Sequence, residues 1–195
     1  MTAAKKLALI SVADYLAGER VSAVKHDYVG GVVYAMSGGS YAHSIIACNI
    51  QAHLYFRLRG KPCRTLNSDT LIRVDRPRKV SFYYPDVSVV CRPKPAAAAQ
   101  DEPTVICEVL SRSTRRVDSE EKLEAYLTIP SLQIYALVEQ ESAGVVVYRR
   151  QGAEFTREVY ADLAEIIPLP ELETELPLAE IYEGVEFGPE AATPE

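Results

Sequence analysis

Phe82-Tyr83-Tyr84-Pro85-Asp86-Val87-Ser88-Val89-Val90 and Thr104-Val105-Ile106-Cys107-Glu108-Val109-Leu110 are two apolar runs, each interrupted by a single carboxylate. Both are rich in β-branched residues and bounded by Pro and polar clusters, which predicts two buried strands. An ionised carboxylate in such a strand is expensive unless a cation or strong donors meet it. Alternation puts Asp86 on the face of Ser88, and Glu108 on the face of Ile106 and Leu110. If the strands are neighbours, the two carboxylates converge. Lys122, at the start of the next helical segment, adds a cation. Two hard oxygen donors, with waters and a backbone carbonyl such as that of Val109, suit Mg²⁺ or Mn²⁺ rather than zinc. Such an ion polarises a phosphoryl oxygen and activates water, and a nearby lysine stabilises the developing charge. Without the ion the two carboxylates are expected to repel, so that Asp86→Asn would raise the melting temperature.

Each residue also has a plainer reading. Pro85-Asp86 is a common turn pair. Glu108 could end a strand in an ordinary ion pair. Lys122 lies four residues after Asp118, the spacing of a helix-surface pair.

Around this centre the chain alternates helices and strands. Ser11 reads as the N-cap of a short helix, and Tyr28 to Met36, with Gly30-Gly31, as a strand or hairpin. Ser40 to Arg59 is the clearest helix, with Ile46, Ile50, Leu54 and Leu58 recurring every four residues before Gly60. Short strands are predicted near Cys63–Leu66 and Leu71–Val74, and 92–103 reads as a loop. Asp118 to Ile129 reads as a helix opened by a D-x-x-E capping pattern. Strands follow at Gln133–Glu139, Gly144–Arg149 and Phe155–Tyr160. The fold class is α/β, a central mixed β-sheet flanked by helices.

The 195 residues, 48% hydrophobic and 25% charged, fit one domain with a substantial core. That domain is expected over residues 1–167. Residues 168–195, acidic and holding Pro168, Pro170, Pro177 and Pro189, are expected to form a loosely packed tail with a short helix at Leu178–Tyr182. No stretch approaches the roughly 18 apolar residues of a membrane span, and the N-terminus lacks a signal-peptide pattern. Cys48, Cys63, Cys91 and Cys107 show no C-x-x-C pair; three of them lie in apolar runs and read as reduced core residues of a cytoplasmic protein. The net charge of −6 is uneven. From Glu154 onward there are 12 acidic residues and one basic, leaving 20 basic and 15 acidic residues before it. That balance permits contact with a phosphate backbone.

The Pro-Asp pair and the Glu within an apolar strand resemble the PD-(D/E)XK nuclease superfamily, with Leu110 where the lysine usually stands and Lys122 placed as its migrated substitute. More closely, the chain resembles the Uma family of putative restriction endonucleases. The matching stretches are Lys25-His26-Asp27-Tyr28-Val29-Gly30-Gly31, Ala35 to Ser40, His43, Tyr84-Pro85-Asp86-Val87, Glu108-Val109-Leu110-Ser111, Asp118 with Lys122, and Pro130-Ser131-Leu132. The chain departs from the family at Asp27, usually Glu, at Gly30-Gly31-Val32, and at Ser111-Arg112-Ser113. The resemblance implies a restriction-endonuclease-like core and a metal-dependent, DNA-cutting enzyme acting as a homodimer. It implies Asp86 and Glu108 as ligands and Lys122 as the electrostatic catalyst.

Asp27 and His43 are further candidates for the site. His43 falls near the start of the long helix, where it could reach a metal or phosphate, or simply cap. The run from Arg57 to Lys79 holds eight basic residues and two acids. Arg57, Arg59, Lys61 and Arg64 within it are the best candidates for nucleic-acid contact, a solvated positive face being the alternative. A non-catalytic nucleic-acid-binding protein that keeps the nuclease scaffold is the competing function.

Overall fold

The chain between Tyr83 and Val87 changes sheets, and this passage organises the molecule. In the structure, a computed structural model describing residues 9–36, 38–111 and 115–187, β5 (Lys79–Tyr83) belongs to a four-stranded sheet and β6 (Val87–Val90) to a six-stranded one. The single long strand expected over residues 82–90 is therefore two. Pro85 has no N–H to give to a ladder and breaks the pairing, so Asp86 sits at the corner between the sheets. Ser37, Arg112, Ser113 and Pro189, used in the sequence reading, lie outside the described residues.

The four-stranded sheet has the order β2-β1-β5-β4. Its hairpin joins β1 (His26–Val29) to β2 (Val32–Ala35). Gly30 and Gly31 have φ of 57° and 102°, a conformation glycine adopts without steric cost. The fourth strand is β4 (Ile72–Arg76). The six-stranded sheet runs β10-β9-β8-β7-β6-β3. It comprises β3 (Arg64–Asn67), β6, β7 (Pro103–Leu110), β8 (Ile134–Glu139), β9 (Val145–Gln151) and β10 (Glu154–Tyr160). β7 and β8 are parallel and the remaining pairs antiparallel, so the sheet is mixed.

Helix α1 (Val12–Glu19) is capped by Ser11, whose side chain accepts from the Asp14 N–H, as its sequence predicts. Helix α2 (Tyr41–Arg57) is capped in the same way by Ser40. α2 lies on one face of the large sheet with Ile46, Ile50 and Leu54 fully buried against Val87, Val89 and Val109. Burial of each such side chain contributes about 1.5–3 kcal/mol. The other face packs Ile106, Tyr135 and Leu137 against Tyr126, Leu132 and, from the small sheet, Ile72 and Tyr83.

Two expectations are corrected here. The boundary at residue 167/168 falls inside β11 (Ile166–Leu169), which pairs with β12 (Thr174–Pro177) and leads into α4 (Leu178–Ile181). Through residue 187 this segment is no loose tail: Ile167, Leu169, Leu172, Leu176, Leu178 and Ile181 are buried in the α2-side core. Its prolines occupy turn and edge positions while its apolar residues dock. Cys63 and Cys91, expected to be reduced, form a disulfide. Arg64 pairs with Val90 in the β3–β6 register, so the cysteines one step beyond face each other across the strands. Cys48 and Cys107 are free.

Candidate active site

β6 and β7 pair antiparallel with Val87 opposite Cys107, and continuing that register by one residue sets Asp86 opposite Glu108. The expected convergence therefore holds, although Asp86 lies beyond the end of its strand. Where β6 stops, the Val109 N–H loses its strand partner, and Asp86 Oδ2 accepts it at 2.8 Å. The contact between Asp86 and Val109 is through the Val109 amide, whereas the expectation for Val109 concerns its carbonyl. His43 Nε2 lies 3.2 Å from the same Asp86 oxygen. The ring is in the first turn of α2, held close to Gly39: a Cβ there would sit 2.6 Å from His43 Nδ1. The Asp86 hydrogen bond raises the His43 pKa above its ordinary value against the opposing effect of burial.

Glu108 is buried, and Lys122 reaches it from the next helical segment, Nζ to Oε1 at 2.9 Å. That segment opens as a π-helical turn (Val117–Lys122) and continues as α3 (Leu123–Tyr126). Asp118 does not form the capping box expected of it: among the described residues no side chain caps this turn, and Asp118 is buried. Its Oδ1 lies 3.0 Å from Lys122 Nζ without hydrogen-bond alignment. Lys122 is thus a buried cation between two buried carboxylates, not a helix-surface pair. Tyr126 OH adds a 3.2 Å hydrogen bond to Glu108 Oε1.

Burial pushes Glu108 well above the usual carboxylate range, opposed by Lys122 and reinforced by Asp118 and Asp86. For Lys122 burial works against the charged form, but Glu108, Asp27 and Asp118 outweigh it and hold the ammonium well above its ordinary pKa. Asp27, on β1, accepts the Tyr84 N–H at 3.2 Å and so pins the chain just before Pro85. It borders a second cavity of about 410 Å³ that shares Asp118 and Lys122 with the main cleft. Burial raises its pKa.

Asp86, Glu108, Val109, Asp118, Lys122 and His43 all border one cleft of about 500 Å³, which Gln51, Asn67 and Ser68 also line. Asp118, matched only through its spacing to Lys122, is the site residue the sequence reading did not assign; the i,i+4 pair was its signal. Arg57, Arg59, Lys61 and Arg64 are not brought to this cleft. Arg57 Nη2 pairs with Glu180 at 2.6 Å, and Lys61 Nζ reaches the Leu172 and Glu173 carbonyls at 3.0 and 2.9 Å. The acidic C-terminal segment takes up two of these cations, at the end of α2 remote from His43.

Among the described residues no group of three or more His, Cys, Asp and Glu forms a ready cage for a metal. Mg²⁺ needs less, since it commonly binds through one or two carboxylates plus waters and substrate phosphate. Asp86 and Glu108 bring two carboxylates to one cleft, the donor type such an ion takes. The residues fit such an ion.

A mixed sheet flanked by helices, with carboxylates and a lysine gathered where β6 and β7 part, defines the class: an α/β protein of the nuclease fold. A putative nuclease of the DUF820 group from Anabaena variabilis shares it, with a TM-score of 0.71 at 17% identity over 89% of this chain and 97% of that one. The family model described as Uma2, putative restriction endonuclease, matches residues 12–179, and the chain belongs to that family. Two uncharacterized Synechocystis proteins are similar. Slr1290 is 35% identical over 143 residues, 72% of this chain and 74% of its own length. Sll1609 is 30% identical over 148 residues, 74% and 82% respectively. Among the described residues no helix is long and apolar enough to cross a membrane.

Proposed function

We propose that this protein is a Mg²⁺- or Mn²⁺-dependent endodeoxyribonuclease that hydrolyses phosphodiester bonds in the cleft between α2 and the β6–β7 edge. The observation that carries the reading is the meeting of Asp86, Glu108 and Lys122 in one cleft, from three elements. Asp86 and Glu108 are the side chains that would hold the ion, with Val109 supplying a backbone oxygen. When bound, the ion supplies Lewis-acid polarisation and an acidified water. Lys122, kept protonated by its carboxylate neighbours, presents fixed positive charge where a phosphorane would gather negative charge. Asp118 holds that ammonium in place from its other side. His43 steadies Asp86 and is close enough to the cleft to meet a phosphate oxygen. Cutting both strands of a duplex takes two such sites, so a homodimer is part of the proposal.

The test is incubation with supercoiled plasmid and Mg²⁺ or Mn²⁺, beside Asp86→Ala. Cutting by the wild type that chelation and the variant abolish is the expected result. A gel shift without cutting by either protein would instead support a DNA-binding protein on a nuclease scaffold.

A further inference from the structure

Glu108 receives both of its strong donors on one oxygen. Lys122 Nζ and Tyr126 OH each point to Oε1, at 2.9 and 3.2 Å, and among the described residues no donor reaches Oε2. Lys122 supplies charge, but nothing in the proposed chemistry calls for a phenol beneath the site.

The Tyr126 ring has an independent reason to be where it is. It is fully buried and meets Tyr83 and Tyr135 edge-on, with centroids 5.4 and 5.2 Å apart. A phenylalanine would make those ring contacts equally well. The hydroxyl is what needs explaining, because burying one without a partner costs free energy. Its partner is the Glu108 carboxylate. A phenol is protonated at neutral pH and so donates to that carboxylate. Tyr126 lies four residues after Lys122 and eight after Asp118, so all three share one face of the helical segment. Tyr135 OH donates to the Asp118 carbonyl at 2.9 Å and anchors the other end of that face.

We propose that Tyr126 is a positioning residue: with Lys122 it fixes Glu108 through Oε1 and reserves Oε2 for the divalent ion. The inference rests on the metal-dependent reading above and adds which oxygen binds and what orients it. A carboxylate oriented before the ion arrives pays less ordering cost, and outer partners of metal ligands typically change affinity by about 10–100-fold.

The experiment is Mn²⁺ titration by calorimetry of the wild type and Tyr126→Phe, with the melting temperature of both in EDTA. The expected result is Mn²⁺ affinity about tenfold or more weaker in the variant, with the melting temperature nearly preserved because the ring remains. A hydroxyl serving the fold alone would lower the melting temperature and leave the affinity unchanged, which overturns the proposal. Anomalous scattering from a Mn²⁺-soaked wild-type crystal reads the same point without any variant. An ion bonded to Glu108 Oε2 supports the assignment, and one bonded to Oε1 removes it. If the wild type binds no Mn²⁺ at all, the metal-dependent reading fails and takes this inference with it. Equal binding by wild type and variant removes only the role of Tyr126.

Discussion

Asp86 and Glu108 face each other across one register step, yet the mouth and floor of the cleft treat them differently. At the mouth, the Asp86 side chain is 14% exposed and is met by a neutral amide and a histidine that titrates. On the floor, the Glu108 side chain is 3% exposed and is met by a permanent cation and a buried phenol. Low dielectric makes every term on the floor larger, in both directions. The mouth is therefore where pH acts, and the floor is where electrostatics are fixed in advance.

The largest effect expected from breaking this contrast is at Lys122. Lys122→Met leaves Glu108 and Asp118 buried without their cation, a change that typically costs about 3–5 kcal/mol. Urea unfolding in EDTA at neutral pH reads it; a loss below about 1 kcal/mol would mean the floor is more solvated than its burial indicates. Next is Asp86→Ala, which orphans the Val109 N–H and should cost about 1–3 kcal/mol. Asp86→Asn, expected from charge alone to raise the melting temperature, keeps an oxygen that can accept the Val109 N–H, so the two variants separate the charge from the hydrogen bond.

His43 gives a smaller effect with a definite pH signature. Its folded pKa is raised, so the stability it contributes is fully present below the unfolded value of about 6.5 and is lost as pH rises through the folded value. His43→Gln should therefore destabilise by about 1 kcal/mol or less at pH 5.5, and the gap to the wild type should close at pH 9. A gap that widens with pH would place the stabilising form of His43 as the neutral ring. The smallest effect belongs far from the cleft. The Arg57–Glu180 pair is partly exposed, so Arg57→Ala should cost about 0.2–1 kcal/mol. Plasmid binding at matched salt should be unchanged; a marked drop would return Arg57 to the nucleic-acid surface.

The sequence carried those parts of the fold that rest on local patterns. Ser11 caps its helix as read, the helix expected from Ser40 begins there, Gly30-Gly31 turns its hairpin, and the fourfold spacing from Ile46 to Leu58 is the buried stripe of α2. It also carried the meeting of Asp86 with Glu108, because strand alternation and a two-strand register suffice for it. What it did not carry depends on long-range packing. Hydrophobic period does not separate one long strand from two in different sheets, so the corner at Pro85 was signalled only by the Pro-Asp turn pair. A π-helical turn differs from an α-turn by hydrogen bonds between backbone atoms that any side chain allows, which hid the inward turn of Asp118. Acidic and Pro-rich composition masked Leu172, Leu176 and Leu178, whose burial needs the surface of α2 to receive them. The reach of Tyr135 OH across seventeen residues to the Asp118 carbonyl, and that of Tyr126 to Glu108, likewise exist only in the folded chain.

The central claim is that Asp86 and Glu108 hold one divalent ion between the mouth and floor of the cleft. Mn²⁺ titration of the wild type, Asp86→Ala and Glu108→Gln by calorimetry tests it without any substrate. The account predicts one ion bound by the wild type and binding lost or strongly weakened in both variants. Wild-type affinity retained by either variant would contradict it.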